Sequence, residues 1–205
     1  MNSIDKLTQI FSEFPGIGPR QAKRFVYHLL SRNDAYIAEF LDLAKNLKND
    51  SKICPDCFRY FPKSASTSPL CPICQSPNRA KSSLMIVSRD VDLENIEKSH
   101  SFDGYYFVLG GTIPILDKEP SKRIRLAELK TIITRRMTEG LKEIILGLNA
   151  NPDGDYTGQF VIETFQDLIN DGKIKISHLG RGLSTGTELE YSDSDTIKSA
   201  LENRR

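Results

Sequence analysis

Two pairs of cysteines carry the strongest chemical signal in this 205-residue chain. Cys54 and Cys57 form one C-x-x-C, Cys71 and Cys74 a second, and thirteen residues separate the pairs. Each pair makes a tight knuckle that aims two sulfurs at one point. Two knuckles complete a tetrahedron of thiolates, the closed arrangement that Zn²⁺ prefers. Pro55 and Pro72 stiffen the knuckles. Four protein ligands leave no position for water, so the ion would stabilise the chain and not catalyse. The competing states are two disulfides or four free thiols; a reducing compartment favours the metal over the disulfides.

A second signal lies in Phe14-Pro-Gly-Ile-Gly-Pro-Arg20-Gln-Ala-Lys23-Arg24. Gly16 and Gly18 allow a tight bend whose backbone N–H groups turn outward and come close to a partner. The positive end of the following helix adds to them. Such a bend holds a phosphate of DNA without reading a base, and Arg20, Lys23 and Arg24, with Arg32 further on, place cations beside it. An ordinary helix turn with a solvated basic face would have the same spacing. The glycines Gly180, Gly182 and Gly186 shape a turn and carry no comparable signal.

These residues need elements to position them. Ile4, Leu7, Ile10, Phe11 and Phe14 recur every three or four residues and predict a helix capped by Ser3. Two Pro and two Gly over 15–19 end it, and Pro19 suits the first turn of a second helix with Ala22, Phe25, Val26, Leu29 and Leu30 inward. A third helix would turn Ile37, Phe40, Leu41, Ala44 and Leu47 inward. Residues 50–80 are rich in Pro, Ser and Cys and lose all periodicity, so something other than a core must hold them. From residue 84 strands and helices alternate. Strands are expected at 84–87, 104–109, 143–146 and 173–179, and helices at 92–99, 122–137, 155–169 and 194–203. This alternation implies a largely parallel sheet covered on both faces.

Composition narrows the function classes. Lys+Arg total 28 and Asp+Glu 27, a net charge of +1, so nucleic acid cannot be held by bulk charge and needs a local patch. Residues 1–75 hold 10 Lys+Arg against 7 Asp+Glu, which puts the positive excess at the helical and cysteine-rich end. With 39% hydrophobic residues a packed core is expected. The longest uncharged apolar run, Tyr105 to Leu116, is too short to span a bilayer and is broken by two Gly and a Pro. No secretory pattern opens the sequence, which leads us to expect a cytoplasmic protein. There is no phosphate-binding G-x-x-x-x-G-K-[ST]. His28, His100 and His178 are scattered, and neither Ser88 nor Ser184 sits in a nucleophile elbow.

The bend FPGIGPRQAKRFVYHLL, the paired cysteine knuckles and a later α/β region, in this order, resemble the RecR family of bacterial recombination mediators. The stretch Gly104-Tyr-Tyr-Phe-Val-Leu-Gly-Gly111 and the tail from Arg181 through Ser184, Thr185 and Thr187 to Asp193 are similar to the family as well. The resemblance covers nearly the whole chain. It implies an α+β, multi-part protein: a helix-hairpin-helix domain over 1–50, a four-cysteine zinc-finger module over 51–80, a Toprim domain with a parallel sheet over 81–180, and a C-terminal tail and helix over 181–205. It also implies DNA binding through Arg20 and Arg24. The implied partners are RecO and RecF, and the implied task is to help load RecA onto single strands coated by SSB. The implied assembly is a homo-oligomeric ring, a tetramer, that encircles DNA near the nucleoid. Structural zinc, one ion per chain, is the one cofactor expected.

Catalytic Toprim domains hold Mg²⁺ on a Glu at the end of the first strand and on a later DxD motif, because this hard ion wants charged oxygens. Here Ser88 aligns with the Glu, and Asn149 and Asn151 replace the DxD pair. Neutral amides are poor Mg²⁺ ligands. RecR proteins commonly keep the Glu, so Ser88 is a departure, as is the loop Leu116-Asp117-Lys118-Glu119-Pro120, which lacks the family's Gly-rich continuation. The expected reading is a protein that is not an enzyme. Asp153, Asp155 and Asp117 are weighed as a weak acidic site; for Asp153 and Asp155 the choice is between helix-start carboxylates, a vestigial acidic site and a contact for a partner protein. The alternative is a Mg²⁺-dependent Toprim nuclease or primase-like enzyme.

Overall fold

The computed structural model describes residues 2–180, 182–183, 186 and 188–204. Arg181, Ser184, Thr185 and Thr187 of the family-like tail lie outside the described residues. The chain forms two units, one ending at Ser51 and one beginning at Lys52.

The first unit holds three helices, α1 (Ser3–Ser12), α2 (Pro19–Leu30) and α3 (Asp34–Asp50). Asn2, not Ser3, caps α1, and its side chain accepts from the Asp5 amide at 2.9 Å. Both residues are good caps, and the helix uses the earlier one. Pro19 opens α2 as expected. A small core of Phe11, Ala22 and Val26 joins α1 and α2, with Ile4, Ile17, Phe25 and Leu29 packed around it. The third helix departs from the sequence expectation. It exists, but none of its residues is buried, and Phe40, Leu41 and Leu47 are exposed. Of the apolar stripe, only Ile37 is partly covered among the described residues.

The second unit begins with β1 (Ser51–Ile53), β2 (Tyr60–Pro62) and the single turn α4 (Pro72–Gln75). The Toprim-like portion follows: β3 (Ala80–Val87), α5 (Asp90–Lys98), β4 (Gly104–Val108), α6 (Leu126–Thr138), β5 (Glu143–Gly147), α7 (Pro152–Thr164), α8 (Gln166–Asn170) and β6 (Lys175–His178). A last helix, α9, spans Ser194–Glu202. The four long strands form one sheet in the order β4-β3-β5-β6, and all three pairings are parallel, with Leu84 opposite Tyr105 on one side and Ile144 on the other. Every residue of β4 and all four of Leu84–Val87 are buried. Burial at consecutive positions requires cover on both faces, as parallel sheets need.

Two expected helices are interrupted. The run 122–137 begins as a single 3-10 turn at Pro120–Lys122, and α6 proper starts only at Leu126. The cause is tertiary: the Arg125 amide donates to the Leu109 carbonyl at the end of β4, and Ile124 is buried. The run 155–169 starts earlier, at Pro152, and breaks at Phe165, whose ring is buried and whose backbone is not helical.

Candidate metal centre and nucleic-acid interface

The four cysteines come together. Cys54, Cys57 and Cys71 are fully buried, Cys74 nearly so, and their sulfurs all lie within 4.8 Å of one another. The Cys57 and Cys71 sulfurs are 3.6 Å apart. Thiolates at the ~2.3 Å bond length of a tetrahedral zinc site stand about 3.8 Å apart, and the 3.6 Å between Cys57 and Cys71 is close to that edge. The turn that aims the first pair is closed by two hydrogen bonds of 2.9 Å, from the Phe58 amide to the Cys54 carbonyl and from the Cys54 amide to the Arg59 carbonyl. It puts Phe58 in the left-handed region at φ 61°. The Cys71 amide donates to the Cys54 sulfur at 3.4 Å. Contact with its three sulfur neighbours, Cys57 foremost, holds the Cys54 thiol far below its ordinary range, while the same contacts push Cys57 and Cys74 far above it. Four such groups cannot all ionise in a dry site by themselves, and a divalent cation removes that conflict.

The knuckle also touches the sheet. The Val108 amide on the outer strand β4 donates to the Cys57 carbonyl at 2.8 Å. Arg125 bonds the Val108 carbonyl at 2.9 Å and stands over the Phe58 ring. Asp56, inside the first C-x-x-C, is buried and pairs with both Arg135 and Arg136 of α6. No local sequence pattern marks Asp56, Arg125, Arg135 or Arg136 as partners. Asp56 stands between two ligands, but its arginines lie 79 and 80 residues away.

The bend between α1 and α2 has the expected geometry. Gly16 has φ +78°, a conformation that only glycine adopts freely. Gly18 is extended and caps α2 with no side chain. A Cβ at either glycine would meet nothing within 4 Å. Gly18 therefore has no steric reason within the chain to be glycine, which suits a position that another molecule approaches closely. Edge-to-face contacts of Phe11 with Phe14 and Phe25 brace the bend. Arg20, Lys23 and Arg24 are exposed on α2, and its first turn has no acidic residue. Among the described residues no carboxylate pairs with them; Arg24 reaches only the Gln21 side chain at 3.3 Å.

Around the depleted acidic motif several polar groups have local partners. Asn151 caps α7, its side chain accepting from the Gly154 amide at 2.8 Å. A Cβ at Gly154 would collide with the Asn149 carbonyl, so this glycine is fixed by the turn itself. Asp153 and Asp155 lie in the first turn of α7, where the helix dipole favours carboxylates. Asp155 also lines a small cavity of about 140 Å³ with Leu146, Leu148 and His178. Asp117 pairs with Arg123 at 2.5 Å. Ser88 is fully buried at the end of β3, and its hydroxyl has no partner among the described residues. Among the described residues, the cysteine quartet is the one group of three or more His, Cys, Asp or Glu side chains close enough to share an ion. Among them, too, no helix is long and apolar enough to cross a membrane.

Comparison with known proteins agrees with this geometry. Residues 4–49 match the family described as RecR, helix-hairpin-helix, residues 82–180 match the Toprim domain, and residues 182–205 match RecR, C-terminal. Proteins called Recombination protein RecR are similar over the full length. The one from Legionella pneumophila strain Philadelphia 1 is 37% identical over 100% of this chain and 96% of its own. The one from Paracoccus denitrificans is 33% identical with the same coverage, and that from Lactococcus lactis is 32% identical over 98% of this chain and 96% of its own. With a helix-hairpin-helix match, a Toprim match and a C-terminal match in this order, and with similarity to these relatives from end to end, this chain belongs to the RecR family of recombination proteins.

Proposed function

We propose that this protein is a DNA-binding mediator of recombinational repair and that it breaks no bonds. The observation that carries the reading is the bend at Gly16 and Gly18, open to solvent and followed by three exposed cations that pair with no carboxylate among the described residues. Outward amides and the α2 dipole grip a phosphate, and Arg20, Lys23 and Arg24 neutralise its neighbours. The four-cysteine centre holds one structural zinc ion per chain. The working divisions are the helical piece at 1–50, the zinc module at 51–80, the Toprim piece at 81–180 and the tail at 181–205.

A nearly neutral chain binds a polyanion best when several bends face one hole, since tethered weak sites add through effective concentration. The protomer therefore works as part of a homo-oligomeric ring, a tetramer, that encircles DNA. The exposed apolar residues of α3 supply a surface for such assembly. With RecO and RecF the clamp helps load RecA onto strands coated by SSB, in the cytoplasm at the nucleoid. Asp153 and Asp155 serve as a partner contact or a vestige of an acidic site. Ser88 in place of a carboxylate, and an Asn151 engaged in capping, support the reading as a binding protein and not a Mg²⁺ enzyme.

The test is charge reversal. Arg20→Glu with Arg24→Glu is expected to weaken DNA binding by about tenfold or more in low salt. The slope of log affinity against log salt should shrink by about 0.9 for each duplex phosphate that is no longer neutralised. Fluorescence anisotropy over a salt series measures both. Unchanged affinity and slope would overturn the proposal.

A further inference from the structure

We infer that Asp56, Arg135 and Arg136 form an ionic clasp that sets how firmly the four-cysteine centre keeps its metal. The inference rests on the reading of the quartet as a metal centre and on nothing about DNA. Asp56 lies between the ligands Cys54 and Cys57 and is only 5% exposed. A carboxylate that deep in a protein is costly unless paired. Both of its oxygens are used, one by Arg135 and the other by Arg136. Arg136 is itself buried, and its guanidinium lies 4.0 Å from the centre of the Tyr105 ring on β4. The knuckle is thus tied by one carboxylate to a helix and, through the arginine, to the outer strand.

Two physical effects follow. The first is position. Fixing Asp56 fixes the backbone on both sides of it, and so the directions in which the Cys54 and Cys57 sulfurs point. Groups outside the ligand set that fix the direction of the ligands govern metal affinity. The second is charge. Four thiolates around a divalent ion carry two surplus negative charges. Asp56 adds a third, and Arg135 and Arg136 offset two of the three. The third cation is Arg125, which bonds the Phe58 carbonyl at 3.4 Å, one residue beyond the ligand Cys57. Three arginines therefore face the three negative charges of the loaded knuckle, Arg135 being shared with Glu139 at 3.5 Å. A buried charge cluster that balances is stable only while all its members are present.

The experiment measures zinc release from the full-length, zinc-loaded protein to an excess of the chromogenic chelator pyridylazoresorcinol near neutral pH. Asp56→Asn and Arg136→Met are each expected to release zinc about 10–100-fold faster than the parent. The double variant should be no faster than the faster single one, since both break the same clasp. Arg135 is half-exposed, so Arg135→Met tests the idea in a fold under less strain; it should show a smaller acceleration. Leu129→Ala, at a fully buried position of the same helix, weakens packing without touching the clasp and should accelerate release less than either Asp56→Asn or Arg136→Met. Release from Asp56→Asn at the parental rate would overturn the inference, as would equal acceleration by Leu129→Ala. A parent protein with less than one equivalent of metal per chain would instead overturn the metal reading, and the clasp with it.

Discussion

The two units differ in what they bury. In the second, a continuous core runs from the cysteine knuckles through all four sheet strands to α6 and α7. In the first, Phe11, Ala22 and Val26 are the buried residues of the core, while Ile10, Leu30, Leu41, Leu43 and Leu47 stand half or more exposed. Apolar burial contributes about 25 cal/mol per Å², so three helices with so little of it are weakly held by their own packing. An apolar groove of about 420 Å³ between them, lined by Leu7, Leu29, Ile37 and Phe40 among others, makes the same point. A chain can be self-sufficient in one region and incomplete in another, and the incomplete region is the one expected to meet other molecules.

The largest effect that separates the units is metal removal. In isolated zinc modules the ion contributes about 10–16 kcal/mol of binding energy that is coupled to folding. Stripping it should abolish hydrogen-exchange protection at the Val108 amide and lower the melting temperature of the second unit. Protection of α1 and α2 should not change. Equal loss in both units would break the comparison.

Next in size are paired truncations. Leu129→Ala, in the buried core, is expected to cost about 2–5 kcal/mol in denaturant unfolding. Leu47→Ala, 65% exposed, should change stability by less than about 0.5 kcal/mol in dilute protein. It should weaken self-association seen by light scattering. A stability loss from Leu47→Ala as large as that from Leu129→Ala would show that α3 is already packed in the single chain.

The smallest effect is a pH dependence confined to the sheet. A hydrogen bond from the Ser177 hydroxyl at 2.8 Å, and then Lys175 at 3.3 Å, hold the Glu143 carboxyl below the usual carboxylate range. A depressed folded value means that the contribution is fully present above the unfolded pKa of about 4.3. It is lost as pH falls through the folded value. Glu143→Gln should therefore show a shallower decline in melting temperature than the parent between about pH 5 and about pH 3. Parallel curves would remove Glu143 from the acid response.

How far the sequence was legible follows from the range of each interaction. The knuckles could be read because C-x-x-C spacing is a local geometric constraint, and the bend because Gly16 must take a positive φ within a few residues of its prolines. The parallel sheet could be read because its buried strands are short, continuous apolar runs. The clasp on Asp56 could not, since an aspartate between two cysteines carries no mark of arginines near residue 135. The α3 stripe was legible as a face but not as an exposed one: periodicity reports that residues share a side, not that the same chain covers it. The break at Phe165 had no Gly or Pro to announce it, and the late start of α6 depends on the Leu109 carbonyl.

The bond from Val108 to Cys57 has a consequence for how this protein survives in the cell. Strand β4 is apolar along its length and is the last on its side of the sheet. An unblocked flank of that kind is a template on which foreign strands grow. A knuckle seated there blocks that flank, and on the reading of the quartet as a zinc centre its seating depends on ion supply during synthesis. Chains made under zinc starvation should accumulate as aggregates rather than as idle monomers.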